Sequence, residues 1–398
     1  MTLTESLGSA DADWMAQARS EAAASLATLQ MPSERLENWR YIDLSFDPGL
    51  DAPATSSADV VDDEVVDGWS GTIIRIVDGF EVTGDVPVIT AETEDRRVTR
   101  DTDLFATAFT AYSPGAVLVT GSLLDGPVLV DVVATGAATA FPGVHIEVEP
   151  GRDASVFVRY RSANDDEATV VPVLTANVGD NARLDLTVVQ DWNYRTRAIG
   201  RGIVTLQRDA GLVLSEVGLG ALLGRLHLDV DFVGNGSHAK IYGAYFGEEN
   251  QTLDYRYFMN HIGMHTRSDM FLKGAVEDEA LSVFTGMIRI EETGQKTESF
   301  QTNKNLILSH GASAQSVPNL EILANDVKCG HGSSVGPLDE EQRYYLMSRG
   351  LTPERADRLQ VHGFFEEVIS EIPDEGIADW ARTRINAKYV EAQEAGRV

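Results

Sequence analysis

A small residue follows a polar turn at a nearly constant interval in this chain. The segments GRDASVFV, GDNARLDL and QRDAGLVL place Ala154, Ala182 and Ala210 at spacings of 28 and 28, and Ser237 in GNGSHAKIY follows at 27. Two and four residues after each stand apolar pairs: Val156 and Val158, Leu184 and Leu186, Leu212 and Leu214, Ala239 and Ile241. In an extended strand those pairs share one face. A repeated corner followed by two inward apolar residues is what a stacked β-solenoid coil needs, because each coil buries its face only against its neighbours. A β-sandwich also alternates, but nothing in it demands a turn at constant spacing.

The same alternation runs from about Gly71 to Gly332, in AVLVT, VHIEV, SVFVRY, RLDLTVV, LVLSEV and RLHLDVDF, between turns rich in Gly, Asp and Asn. The ends differ. Residues from about Ala10 to Leu29 carry Trp14, Met15, Ala18, Ala22 and Leu26 at helical spacing, with Pro32 as the stop. An acidic, Ser-rich stretch near Ala52 to Asp67 reads as an exposed connector. After Pro337, Asp339 and Gln342 form a capping-box pattern for a helix closing at Gly350. A second helix is predicted from Thr352, with Pro353 at its first position and Ala356, Leu359, Phe364, Val368 and Ile369 as its apolar stripe, and a third from about Gly376 to Ala395. The chain divides into an N-terminal helical region and connector (1–70), a β core (71–336) and a C-terminal helical region (337–398).

With 62 acidic against 32 basic side chains, the averaged field repels nucleic acid and anionic membrane surfaces, so neither is an expected partner. The start has neither a basic n-region nor an apolar h-region, and no apolar stretch reaches membrane-spanning length. The lone Cys329 suits a reducing compartment, and the expected location is cytoplasmic.

Chemistry is sparse. GxxxxGK[ST], HExxH and CxxC are all absent, which weakens an enzyme reading without excluding it, and the chain is not expected to be an enzyme by itself. Paired carboxylates, as in β-helical carbohydrate-active enzymes, are cheap by chance in so acidic a chain. The one constellation with a geometric rationale is Cys329 and His331 in NDVKCGHGSS. At i and i+2 of a strand, thiolate and imidazole share a face and can approach one metal, with Gly330 and Gly332 leaving room for a second backbone or a cofactor. Two ligands do not complete a tetrahedral site, so others must come from a partner or from distant segments. His145, His227, His238, His261, His265, His310 and His362 read as structural or surface residues.

The blocks TRSDMFLKGAVEDEALSVFTGMIRI, TESFQTNKNLILSHGASAQSVPNLEI, DVKCGHGSSVGPLDEEQRYYLMSRGL and HGFFEEV, in this order, resemble the SufB/SufD family of iron–sulfur cluster assembly scaffolds, and LENWRYIDL is similar to a Trp-containing motif near the start of its SufD branch. The resemblance implies a right-handed parallel β-helix with helical ends. It further implies a SufB-like partner, a SufC-like ATPase docked on the C-terminal helices, and a role in iron acquisition and nascent cluster assembly; it also allows a homodimer in isolation. The SufB branch carries a cysteine shortly before the segment matching VPNLEI, where this chain has Ala312, and that departure favours the SufD branch over a SufB-like cluster-building subunit. The family's CxHG motif maps onto Cys329 and His331, which implies His331, and secondarily Cys329, as ligands of iron or a nascent cluster shared with the partner. No cofactor held tightly by the chain alone is expected.

Overall fold

The computed structural model describes residues 13–50, 52–57, 69–82, 88–89 and 103–394. Its strands form two sheets of ten. One sheet runs in the order Phe80–Glu81, Thr72–Val77, Val128–Ala134, Asp153–Ser162, Arg183–Asp191, Gly211–Gly218, His238–Gly247, Arg267–Val276, Glu298–Ile307 and Lys328–Gly336. The path of the other is Val88–Ile89, Ala116–Val119, Gly143–Val148, Val173–Val178, Thr196–Leu206, Leu223–Phe232, Thr252–His261, Leu281–Ile290 and Ser313–Ile322, with Ala168–Val170 beside Thr196–Leu206. From Arg183 onward consecutive strands alternate between the sheets, and each pairs in parallel with the strand two places away. This is a mainly β parallel solenoid, as the periodicity predicts.

Register gives the coil lengths: 30 residues from Ala154 to Leu184, then 28 to Leu212, 27 to Ala239, 29 to Ser268, 31 to Ser299 and 30 to Cys329. Ala182, Ala210 and Ser237 precede registered positions and stack in one fully buried column that continues through Thr266 and Thr297. Ala154 is the exception. It stands beside Leu184, two residues out of the column, because its coil is longer than the next. A slip of two keeps the same face inward, so the alternation conceals it.

Three apolar clusters divide the molecule. Inward positions such as Val158, Leu186, Leu214, Ile241 and Met270 fill the lumen between the sheets. On the outer face of the first sheet, Leu129, Phe157, Val189, Val217, Phe246 and Ala275 are covered by the C-terminal helices. The outer face of the second carries Phe141, Val171, Val173, Ile199 and Leu223 against the N-terminal segment. Each strand of the middle coils is therefore buried on both faces, as parallel sheets require.

The N-terminal cover consists of helix α1 (Asp13–Leu26), a 3₁₀ turn at Glu37–Trp39 and helix α2 (Leu104–Tyr112). Helix α2 interrupts the region read from sequence as uniformly β. Its apolar positions, including Phe105, Ala108 and Phe109, are buried on the sheet, and Asp103 caps it by accepting from Ala106 N. In LENWRYIDL, Trp39 packs 5.5 Å from Phe105 and lies under the Arg225 guanidinium at 4.1 Å. Arg225 donates to Asn38 O, and Arg256 donates to Glu37 O and Arg40 O, while both arginines pair with buried Asp254. The motif thus clamps the N-terminal strap to the solenoid. Of the predicted connector, residues 58–67 lie outside the described residues; Ala54 N, just before them, donates to Thr139 O on the body.

Helices α3 (Glu340–Ser348), α4 (Pro353–Ile369) and α5 (Glu375–Glu394) follow the last strand. Asp339 accepts from Glu341 N and Gln342 N, and Gln342 returns to its carboxylate. Gly350, at φ +98°, ends α3 in a Schellman arrangement, with Gly350 N on Met347 O and Leu351 N on Leu346 O. The buried stripe of α4 is Ala356, Val361, Phe365, Val368 and Ile369. Leu359, predicted within the stripe, is half exposed, because the helix turns the Val361–Phe365 edge to the sheet.

Candidate functional site

Lys328–Gly336 and Ser313–Ile322 are the last strands of their sheets, and among the described residues neither has a neighbour on its outer side. The lumen consequently opens at this end. Ser313–Ile322 has lost the buried pattern of the preceding coils, and Leu320, Ile322, Leu323 and Val335 stand exposed around the opening. Unpaired strand edges with apolar rims are templates for another chain.

Cys329 and His331 lie on the terminal strand, in register with Ser299 and Gln301. Both turn toward the lumen. Cys329 is half-buried against its apolar cluster, and that burial raises the thiol pKa. His331 is exposed at the mouth, where its Nδ1 lies 3.1 Å from Pro318 O on the facing sheet. A carbonyl only accepts, so the ring proton of this bond sits on Nδ1, and in the neutral ring the lone pair is on Nε2. That is the usual arrangement of a metal-binding histidine, oriented by a bond from its other nitrogen. The flanking glycines are not imposed by the chain's own packing. A Cβ at Gly330 would meet Phe300 at 3.5 Å and one at Gly332 would meet Thr302 at 3.9 Å, both ordinary contacts.

Among the described residues no three His, Cys, Asp or Glu side chains gather into a metal site, so Cys329 and His331 gain no third such ligand from this chain. Two of the other histidines, His261 and His265, have structural settings. His261 is fully buried, bonded to Thr266 and Ser268, stacked on Phe232 at 4.2 Å and pushed by burial down to about 3. His265 occupies a left-handed turn at φ +59°.

Sequence reasoning missed the orienting role of Pro318. Proline inside a strand pattern marks an edge strand, but that signal does not say which side chain its carbonyl meets. It also missed the polar inward run Ser299, Gln301, Asn303 and Asn305, which alternates with period two just as the apolar runs do.

A second surface belongs to the helices. Helix α3 buries none of its residues and exposes Tyr344, Tyr345 and Met347, and Leu359 of α4 is exposed too. By contrast α4 is anchored: Lys273 Nζ donates to Phe364 O at 2.7 Å and to Glu367 Oε2 at 2.6 Å. No helix among the described residues is long and apolar enough to cross a membrane.

The SUF system FeS cluster assembly SufBD core domain matches residues 132–364. The chain belongs to the SufBD family. It is 32% identical over 358 residues to an iron–sulfur cluster assembly SufBD family protein of Mycobacterium tuberculosis, covering 86% of this chain and 85% of that one. It is 27% identical over 382 residues to the iron–sulfur cluster assembly protein SufD of Escherichia coli, covering 90% and 89%. The SufD of Bacillus subtilis matches at 35% over 144 residues, 36% of this chain and 33% of that one. The SufBD core match contains both Cys329 and His331.

Proposed function

We propose that this chain is a SufD-like scaffold subunit of a cytoplasmic iron–sulfur cluster assembly complex. It pairs through its open solenoid end with a SufB-like subunit, docks a SufC-like ATPase on its C-terminal helices, and supports iron acquisition and assembly of the nascent cluster. The observation that carries this reading is the terminal coil, unpaired among the described residues, with His331 at its mouth and no third His, Cys, Asp or Glu among those residues to join it and Cys329. A partner that continues the two sheets would satisfy the edges and bring the remaining ligands to the same place. In isolation a second copy of the chain can occupy the same edges, which would give a homodimer.

The cluster is cargo here. Neutral imidazole suits iron, and a half-buried thiol that must first lose a proton is the weaker contributor. Ala312 has no ligand or sulfur-carrying atom, which supports the SufD-like over the SufB-like role. ATP hydrolysis is assigned to the partner, and the chain itself is not an enzyme.

Affinity purification of the tagged chain from native extract tests the reading. An associated ATPase and a SufB-like protein are expected. A chain purified alone that turns over a polysaccharide would overturn it.

A further inference from the structure

The lumen of a solenoid is its hydrophobic core, yet toward the open end this one changes character. Glu216 faces inward, is 2% exposed, and accepts a bond from Gln190 Nε2 at 2.8 Å through Oε1, while its Oε2 has no partner. The groups turned toward it are Tyr160, Gln190, Tyr255 and Tyr257, from three strands. The hydroxyls of Tyr255 and Tyr257, on fully buried rings, also lack partners. The Tyr245 ring lies 5.1 Å from that of Tyr255. Its hydroxyl donates to Asn305 Oδ1 at 2.6 Å and accepts from Asn303 Nδ2 at 3.1 Å, and Asn305 Nδ2 donates to Asn303 Oδ1 at 2.7 Å. Gln301, with Oε1 unpartnered, registers with His331, and Asn303 registers with Ser333. Polar side chains therefore line the lumen from Glu216 to the terminal strand, across four strand spacings or about 19 Å.

This file is built into the fold. A Cβ at Gly218 would overlap the Tyr255 hydroxyl, one at Gly274 the Tyr245 ring, and one at Gly286 Gln301 Oε1. Three inward glycines thus open the space that these side chains occupy, although glycine within a strand and unmade buried hydrogen bonds each cost stability.

We propose that this file is a proton path joining the Glu216 carboxyl to the open end beside His331. Hydroxyl and carboxyl groups donate and accept alike, so Tyr255, Tyr257, Tyr245 and Glu216 relay protons through internal water, while the Asn303 and Asn305 amides orient it. Glu216 gives up one proton and takes one back, with nothing oxidised or reduced. Burial favours the protonated carboxyl near neutral pH. The negative charge left on release offsets part of the positive charge of a cation arriving at the mouth. That use rests on the reading of His331 as a ligand, whereas the path does not.

The test reads the path alone, on the full chain without metal. Infrared spectroscopy follows the carbonyl stretch of the buried carboxylic acid after transfer to heavy water. Its assignment comes from loss of the band in Glu216→Gln or, if that variant does not fold, from its shift on ¹³C-glutamate labelling. Core amides of the flanking strands serve as the clock for opening of the solenoid. The expected result is carboxyl exchange at least about tenfold faster than those amides, slowed toward them in Tyr255→Phe/Tyr257→Phe, which removes two unpartnered hydroxyls without altering shape. A carboxyl that exchanges only with the amide clock overturns the path, as does a rate unchanged by the double substitution. Failure of the His331 ligand test would leave this measurement untouched.

Discussion

The imidazole of His331 donates from Nδ1 to Pro318 O at 3.1 Å, joining the last strands of the two sheets across the mouth of the lumen. One bond therefore fixes the ring's tautomer and direction and leaves Nε2 for a ligand. His331→Gln is the informative substitution, because its amide can still donate to Pro318 O but has no imidazole nitrogen. We expect the complex with its SufB-like and SufC-like partners to assemble normally with iron or cluster content lowered at least about tenfold, comparable to the effect of losing a metal site's orienting groups or more. Equal loss of assembly in His331→Gln and His331→Ala would recast the residue as an interface contact.

Cys329 stands two residues away in different surroundings. Burial raises its pKa, so at neutral pH its sulfur is held as the weakly ligating thiol. Cys329→Ser is expected to lower cluster content less than His331→Gln does at pH 7, with the gap narrowing as pH rises. Measuring iron content of both assembled variants at pH 7 and 9 decides this, and a pH-independent ratio would remove Cys329 from the ligand set.

The fold was legible because a solenoid repeats: any coil predicts the next, and period-two alternation survives a coil that is two residues longer. What escaped was non-repetitive. Helix α2 carries only one short helical run, Phe105, Ala108, Phe109 and Tyr112, within the β region, and the cover it provides depends on Phe105 and Phe109 meeting residues such as Phe141 and Ile199 that are distant in sequence. For the site, the CGHG spacing located the two candidate ligands, but the partner that orients His331 is a backbone carbonyl, and no side-chain pattern encodes one.

Glu216 supplies a pH prediction independent of any partner. Burial raises its pKa from 4.5 to about 8, so between these values the native chain binds a proton that the unfolded chain has lost. Its contribution to stability is fully present below pH 4.5 and is lost as pH rises through about 8, at up to roughly 1.4 kcal/mol per pH unit. Glu216→Gln, which cannot ionise, should remove this slope. Urea midpoints of both proteins from pH 5 to 9 should diverge upward in pH in favour of the variant, and parallel curves would show that the native carboxyl titrates normally.

The exposed face of α3 gives a clean docking test. Deleting 339–398 would also strip α4 and α5 from the first sheet and expose Phe157, Val217 and Phe246, so lost binding could reflect a damaged body. Tyr344→Ala/Tyr345→Ala instead touches side chains 75% and 56% exposed, and should change stability by only about 0.5 kcal/mol. Capture of the SufC-like ATPase is expected to fall at least about tenfold, since aromatic anchors commonly dominate an interface. Undiminished capture would place the ATPase elsewhere.

The column through Ala182 and Ala210 tests the solenoid itself. Ala182 is fully buried at a corner, its carbonyl accepts from Gly211 N, and the next coil stacks Ala210 directly beyond it. A leucine there must push two coils apart, at a cost of about 1–3 kcal/mol. Ala154 looks equivalent by spacing but lies beside Leu184, in a column that already accommodates leucine, and is 7% exposed. Ala154→Leu should therefore cost distinctly less than Ala182→Leu in denaturant midpoint. Equal costs would mean that spacing, and not the register of the coils, sets which corners must stay small.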